Sequence, residues 1–402
     1  MSTSLGVAVI GAGMAGRAHA AAYRVASTLY SPTLPKIHLV SIGDINPEFG
    51  ALAAKRFGYE RTDSSWQAIA AADDIDVVSV VIANSLHREA VEGLLAAGKH
   101  VLCEKPLSDS IEDAYAMAEA AERADSIARV GFTYRRSPGI AHIRQLIQDG
   151  TLGKLLHFSG RYWTDYACDP QGPMSWRFKG APGSGALADV GSHMAYIAEF
   201  LGGEIQEVSG GTLSTVIHER PLPLGAVLGH DHAAVSDTFE SVENDDYAAF
   251  SLKFADGAGA IEVSRVARGH ANSLIFEVFC ENGGARYDQR RPSEIELFLN
   301  DVPSAQNGYR QVILGPEHPY IAGGLAMDAP SVGFGQNDAF AYQARSFLEE
   351  VAGVPESESL PRCASFEEGI HNMELLHAVA ASAAANGSAV RVNPTTTHKI
   401  GT

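Results

Sequence analysis

Val7-Ala8-Val9-Ile10-Gly11-Ala12-Gly13-Met14-Ala15-Gly16 is the stretch that decides the fold. A short β-favouring run meets three glycines at Gly-x-Gly-x-x-Gly spacing, and residues 17–26 beyond are alanine-rich and helix-favouring. Strand, glycine turn and helix in that order make a dinucleotide fingerprint. Gly11 allows the tight turn, Gly13 lets the backbone approach a pyrophosphate, and Gly16 permits close packing of helix on strand. Met14 and Ala15 complete the turn at the helix N-terminus, whose oriented N–H groups favour an anion. Gly11, Gly13, Met14, Ala15 and Gly16 are therefore the expected cradle of a dinucleotide.

Working outward, residues 37–42 read as the next strand and end at Gly43-Asp44. An acidic side chain there binds ribose hydroxyls and repels a 2′-phosphate, which favours NAD over NADP. Asp44 lies beyond the usual spacing, and residues 27–36, with Pro32 and Pro35, read as an inserted loop that accounts for the excess. Asp44 could instead cap the helix beginning near Pro47. Strand and helix then alternate through 49–57, 76–83, 87–97, 111–125 and 128–133, as a parallel sheet with right-handed crossovers requires. Asn84 and His87 fall just past one strand end. Val101-Leu102-Cys103-Glu104-Lys105-Pro106 brings Glu104 and Lys105 to the next, and Pro106, with no N–H to donate, stops the strand with the lysine at its rim. Strand ends of this kind face ligands in open α/β sheets.

At 402 residues the chain suits two domains, and its 46% hydrophobic content supplies ample core. A formal net charge of -18 argues against nucleic acid or an anionic membrane as partner. Cys103, Cys168, Cys280 and Cys363 are widely spaced with no zinc-like grouping, and residues 1–6 lack the start of a signal peptide. A cytoplasmic, soluble protein is expected. Gly229-His230-Asp231-His232 reads as an exposed loop, and no metal is expected.

The pattern changes after Arg135. Residues 154–164 read as a strand, 165–185 as a long irregular loop containing Trp176-Arg177-Phe178, and 186–202 as a helix. Asp189 and His193, four apart, share one face near its start. Two hairpins follow, 247–254 with 260–266 and 275–280 into Asn282-Gly283-Gly284. Residues 301–336 are loop-like, and helices at 339–354 and 366–385 are expected to close this second domain. The expected architecture is α/β. A Rossmann dinucleotide-binding domain spans 1–135, and an α/β domain with a large open, mostly antiparallel sheet, for substrate and oligomerisation, spans 136–402.

With the glycine turn, Glu104-Lys105-Pro106 and Asp189-x-x-x-His193 together, the chain resembles the Gfo/Idh/MocA oxidoreductases over essentially its whole length. Trp176-Arg177-Phe178, the Asp189 helix and Gly333-Phe334-Gly335-Gln336-Asn337-Asp338 look most like the inositol and levoglucosan-type sugar dehydrogenases of that family. The resemblance implies Lys105, Asp189 and His193 as the catalytic group. It puts Asn84, His87 and Glu104 near the cofactor, and Arg135, Trp176 and Arg177 near the nicotinamide or substrate.

The expected reaction is oxidation of a secondary hydroxyl of a sugar, anhydrosugar, glycoside or inositol by NAD. His193, with an unperturbed pKa of about 6.5, would be the general base. Asp189 would orient the sugar, and Lys105 would stabilise the developing alkoxide. Tyr134, Arg135, Tyr162, Trp163 and Asp165 join aromatic faces to polar groups, a lining suited to a hydroxyl-rich ring. Two alternatives stand beside this: an NAD-retaining glycoside hydrolase of the same fold, which releases an aglycone without net NADH, and a non-catalytic NAD-binding sensor. A sheet face uncovered by helices calls for self-association, as a homodimer or homotetramer.

Overall fold

The structure is a computed structural model that describes residues 4–30, 34–225, 227, 233–300 and 303–394. His230, Asp231 and His232 lie outside the described residues. The chain packs as two units, Met1–Arg136 with Tyr320–Ile370, and Ser137–Pro319 with His371–Thr402.

The first unit is built on six strands, β1 (Ser4–Ile10), β2 (Lys36–Gly43), β3 (Arg61–Asp63), β4 (Val77–Val80), β5 (His100–Cys103) and β6 (Ala128–Val130). Every pair is parallel, in the order β3-β2-β1-β4-β5-β6. Helices α1 (Met14–Ala26), α2 (Pro47–Phe57), α3 (Trp66–Ala70), α4 (His87–Ala96) and α5 (Ile111–Arg123) connect them. A parallel sheet is covered on both faces, which is why β1 and β4 are unbroken runs of buried, mostly apolar residues. The strand order reverses between β1 and β4, and a crevice for a ligand opens at the carboxyl ends of strands where the order reverses.

The helix Gln336–Val351 belongs to this unit, which corrects its expected place in the second. Its Tyr342, Phe347 and Leu348 are buried in one core with Tyr23 and Ala26 of α1. Buried Arg345 pairs with Glu349 at 2.6 Å and donates to the carbonyls of Ala26 and Leu29. The helix thus covers α1 with an apolar face and satisfies two carbonyls at its end. Helix periodicity announces such a face without saying which partner it meets. The last helix, Phe366–Ala384, runs across the division at residue 370.

The second unit holds α6 (Pro138–Gln148), β7 (Leu155–Trp163), α7 (Ser192–Gly202), β8 (Glu207–Ser214), β9 (Glu219–Pro223), β10 (Val235–Ser241), β11 (Tyr247–Lys253), β12 (Ala258–Ser264), β13 (Ser273–Cys280), β14 (Gly283–Asp288), β15 (Glu294–Leu299), β16 (Arg310–Ile313) and β17 (Val390–Arg391). Nine strands form one mixed sheet, ordered β16-β15-β14-β13-β7-β12-β11-β8-β17, with β9 and β10 as a separate antiparallel pair. Only the β7–β12 pairing of the large sheet is parallel, and both expected hairpins, β11–β12 and β13–β14, are present. The strand β16 interrupts the region read as loop. Phe158, Phe250, Ile261 and Phe276 point to the buried face, while Ser159, Ser251, Ala260 and Phe279 alternate with them on the open one.

Candidate active site

The glycine turn is held by close contacts that only glycine allows. Gly11 has φ +104°, and a Cβ there would lie 2.0 Å from the Val81 carbonyl oxygen. A Cβ on Gly16 would lie 1.7 Å from the Gly11 carbonyl oxygen. Gly13, the N-cap of α1, differs: no atom lies within 4 Å of its would-be Cβ, so its bareness faces open space. Half-buried Asp44 braces this turn, accepting the Ala12 N–H at 2.7 Å and the Asn46 N–H at 2.7 Å. It is not the cap of α2; Asn46 is, accepting from Glu48 and Phe49. Met14 is exposed and Ala15 half-buried at the helix start.

Lys105 stands half-buried just past β5, and its peptide bond to Pro106 is cis. Glu104 is turned inward. Its Oε1 meets His19 Nε2 at 2.9 Å and its Oε2 accepts the Lys105 N–H at 3.1 Å. His19 Nδ1 lies 3.0 Å from the Ser79 hydroxyl, which Tyr23 meets at 2.8 Å. Burial pushes the Glu104 carboxyl up, but the His19 hydrogen bond and the Lys105 charge outweigh it and hold it below the usual carboxylate range. Glu104 therefore supports Lys105 from behind.

His87 is likewise turned into the protein. Its ring is fully buried, with Nδ1 at 3.1 Å from the Leu107 carbonyl and Nε2 at 3.2 Å from that of Ile82. Burial lowers its pKa despite those carbonyls, and the neutral ring has a single N–H to donate to one of them, while the Cys103 thiol also meets Nδ1 at 3.3 Å. Asn84 opens a short 3₁₀ turn beyond β4 and is half-buried. Beyond β6 a 3₁₀ turn, Thr133–Arg136, carries buried Tyr134 and half-buried Arg135, which donates to Glu368 at 3.3 Å.

In the second unit the helix carrying Asp189 and His193 begins as a π turn, Leu187–Gly191, before α7. The extra residue in that turn alters the i,i+4 relation expected of the pair, and such turns concentrate at functional sites. The turn is anchored by Asp245, whose carboxylate accepts the N–H groups of Gly183 (2.8 Å), Gly185 (3.0 Å) and Leu187 (2.8 Å). Tyr166 donates to Asp189 Oδ2 at 2.8 Å. Half-buried His193 faces Tyr162, with ring centroids 6.1 Å apart, and Tyr162 donates to Asn272 at 2.8 Å. Gly160, where a Cβ would lie 2.6 Å from Met194 Sδ, lets α7 settle this close to β7.

Trp163 does not join that group. One residue on from Tyr162, it points to the opposite face of the sheet, with the Arg161 guanidinium over its ring at 4.5 Å and His270 against its edge at 4.9 Å. Asp165 accepts the Gly269 N–H at 3.2 Å. Trp176 is exposed, with the Arg177 guanidinium over its ring at 4.4 Å. The Arg177 carbonyl accepts from buried Arg265 at 2.8 Å and from Asn244 at 3.1 Å, and Arg265 pairs with buried Asp246 at 2.8 Å. Sequence reasoning missed Tyr166, His19, Asn272 and the Asn244-Asp245-Asp246 run. Three consecutive polar residues just before an apolar strand are the one local sign of that last group. Among the described residues no group of three or more His, Cys, Asp or Glu is placed to hold a metal ion. No helix among them is long and apolar enough to cross a membrane.

The glycine turn fits a dinucleotide on its own geometry: space over Gly13, a helix N-terminus behind it and a carboxylate at the end of β2. Comparisons with known proteins agree. Residues 5–132 match the oxidoreductase family with an NAD-binding Rossmann fold, and residues 140–286 match the GFO/IDH/MocA C-terminal domain. The chain is 36% identical to a levoglucosan dehydrogenase of Pseudarthrobacter phenanthrenivorans over 87% of its own length and 90% of the relative's. The solved complex of levoglucosan dehydrogenase with NADH and levoglucosan has a TM-score of 0.87 at 34% identity, covering 97% of this chain and 100% of that one. An oxidoreductase domain protein from Kribbella flavida has a TM-score of 0.86 at 31% identity, covering 98% and 100%. Motif, strand order and whole-length similarity converge: the chain belongs to the Gfo/Idh/MocA family of NAD-binding oxidoreductases.

Proposed function

We propose that this protein is an NAD-dependent dehydrogenase that oxidises a secondary hydroxyl of a sugar, anhydrosugar, glycoside or inositol. The observation that carries the reading is its whole-length similarity to levoglucosan dehydrogenase, with Lys105, Asp189 and His193 all present. NAD, when bound, accepts the hydride. Gly11, Gly13, Met14, Ala15, Gly16 and Asp44 hold it, with Asn84, Trp176 and Arg177 as further cofactor-binding residues. His193 removes the hydroxyl proton, Asp189 orients the ring through a neighbouring hydroxyl, and the Lys105 ammonium stabilises the developing alkoxide. Tyr162, with Tyr134, Arg135 and Asp165, contributes to the sugar's surroundings. In this reading residues 1–135 serve the cofactor, and residues 136–402, with the larger sheet, serve substrate and self-association.

Purified protein mixed with NAD and a panel of inositols, aldoses, levoglucosan and glycosides should generate NADH absorbance with one ring type, and NADP should give far less. Cofactor retained without NADH, together with aglycone release from a chromogenic glycoside, would instead establish a hydrolase. The His193→Ala variant should lose turnover at every pH; near-normal turnover would remove the base assignment. The open face of the nine-stranded sheet supports a homodimer or homotetramer, and a monomer in light scattering at micromolar concentration would exclude it. Buried Cys103, Cys280 and Cys363, all free thiols, suit a reducing cytoplasm.

A further inference from the structure

We infer that Tyr166 is a positioning residue for the reaction, acting through Asp189. The inference rests on the role proposed above for Asp189 and adds the residue that aims it. Tyr166 donates its hydroxyl proton to Asp189 Oδ2 at 2.8 Å, from a turn just past β7 to the π turn ahead of α7. Contact across two elements fixes the plane of the carboxylate, and with it the direction in which Oδ1 accepts a sugar hydroxyl.

The donor itself is held on several sides. Its ring packs against a small apolar cluster of Ala167, Met174, Phe178 and Val242. The backbone on either side is bonded to the end of β12: Thr164 N–H to Ser264 at 2.8 Å and Ala167 N–H to Arg265 at 3.0 Å. Arg220 takes the Ala167 carbonyl at 2.6 Å. The charged groups facing this hydroxyl are Asp189, Arg265 and Arg177, and burial followed by Asp189 pushes its pKa well above the usual phenol value. Tyr166 is therefore a neutral donor near neutral pH, and the carboxylate is its acceptor. The π turn makes such an external brace necessary, because it departs from the α-helical spacing that would set Asp189 against His193.

The test is a double-mutant cycle on the full chain with the best sugar from the NADH panel. Tyr166→Phe should lower kcat/KM about ten- to a hundred-fold, the scale of one hydrogen bond to a charged group. NADH affinity and melting temperature should stay near wild type. Asp189→Asn should fall further, and the double variant should be no worse than Asp189→Asn alone, because the hydroxyl acts only through that carboxylate. Multiplicative losses would overturn the inference, as would a Tyr166→Phe enzyme as active as wild type beside an impaired Asp189→Asn. A fully active Asp189→Asn enzyme, or silence across the panel, would instead remove the reading of Asp189 and the inference with it. Should Tyr166→Phe fold poorly, 3,5-difluorotyrosine at 166 keeps the ring shape while acidifying the hydroxyl. The more acidic hydroxyl donates more strongly to Asp189, so kcat/KM at a single pH should shift from wild type, and the shift should vanish in an Asp189→Asn background; kinetic constants identical to wild type refute the role.

Discussion

Two glycines of the same turn should respond oppositely to the same added methyl group. Gly13 has φ -65°, which alanine adopts readily, and nothing lies within 4 Å of the new Cβ. Gly13→Ala should therefore change folding stability by no more than about 0.5 kcal/mol. The methyl group enters the space over which a pyrophosphate would approach the backbone, so NADH affinity should fall at least about tenfold, or about 1.4 kcal/mol. At Gly16 the new Cβ would lie 1.7 Å from the Gly11 carbonyl oxygen. A carbon and an oxygen normally sit about 3.3 Å apart, so roughly 1.6 Å of movement is demanded of backbone that has little room to yield. Gly16→Ala should cost on the order of 1–3 kcal/mol of stability or more, and lose cofactor as a consequence. Thermal melts read the first quantity and calorimetric titration with NADH the second. A Gly13→Ala protein that melts like wild type and binds NADH as tightly would refute the assignment of this turn as the cofactor cradle.

Arg265→Met should destabilise the second unit by about 3 kcal/mol, because it takes the guanidinium from the Asp246 carboxylate, whose side chain is 0% exposed, and leaves it only the Val216 and Ile217 N–H groups on Oδ2. It should also raise KM by freeing the Arg177 carbonyl, and an unchanged melting temperature would contradict the accounting. His87 adds a pH dependence of definite sign. Its folded pKa lies below the unfolded value of about 6.5, so the unfolded chain takes up the proton first. Its contribution is complete above pH 6.5 and is lost as pH falls toward the folded pKa, with a slope of at most about 1.4 kcal/mol per pH unit. Melting temperatures of His87→Asn should vary less than wild type between pH 6.5 and 5, and parallel curves would refute this.

Local sequence was enough for whatever local chemistry dictates. Gly11, Gly13 and Gly16 carry their reasons within six residues, so the Rossmann unit and its cofactor class were legible, as were the period-two hairpins of β11–β12 and β13–β14. Lys105 at a strand rim followed from Pro106. Direction and partnership were not legible, because they depend on what packs where. Nothing near Glu104 reveals that its carboxylate turns inward to His19, 85 residues away in sequence, or that the His87 ring closes on the Leu107 carbonyl. A one-residue step along β7 sends Tyr162 toward His193 and Trp163 to the other face, a distinction that needs the register of the strand and not its composition. Only tertiary structure assigned the helix Gln336–Val351 to α1, set a π turn under Asp189, and brought Tyr166 to its carboxylate. Apolar stripes and hydrogen-bonding groups announce that they will be satisfied, and the folded chain decides by what.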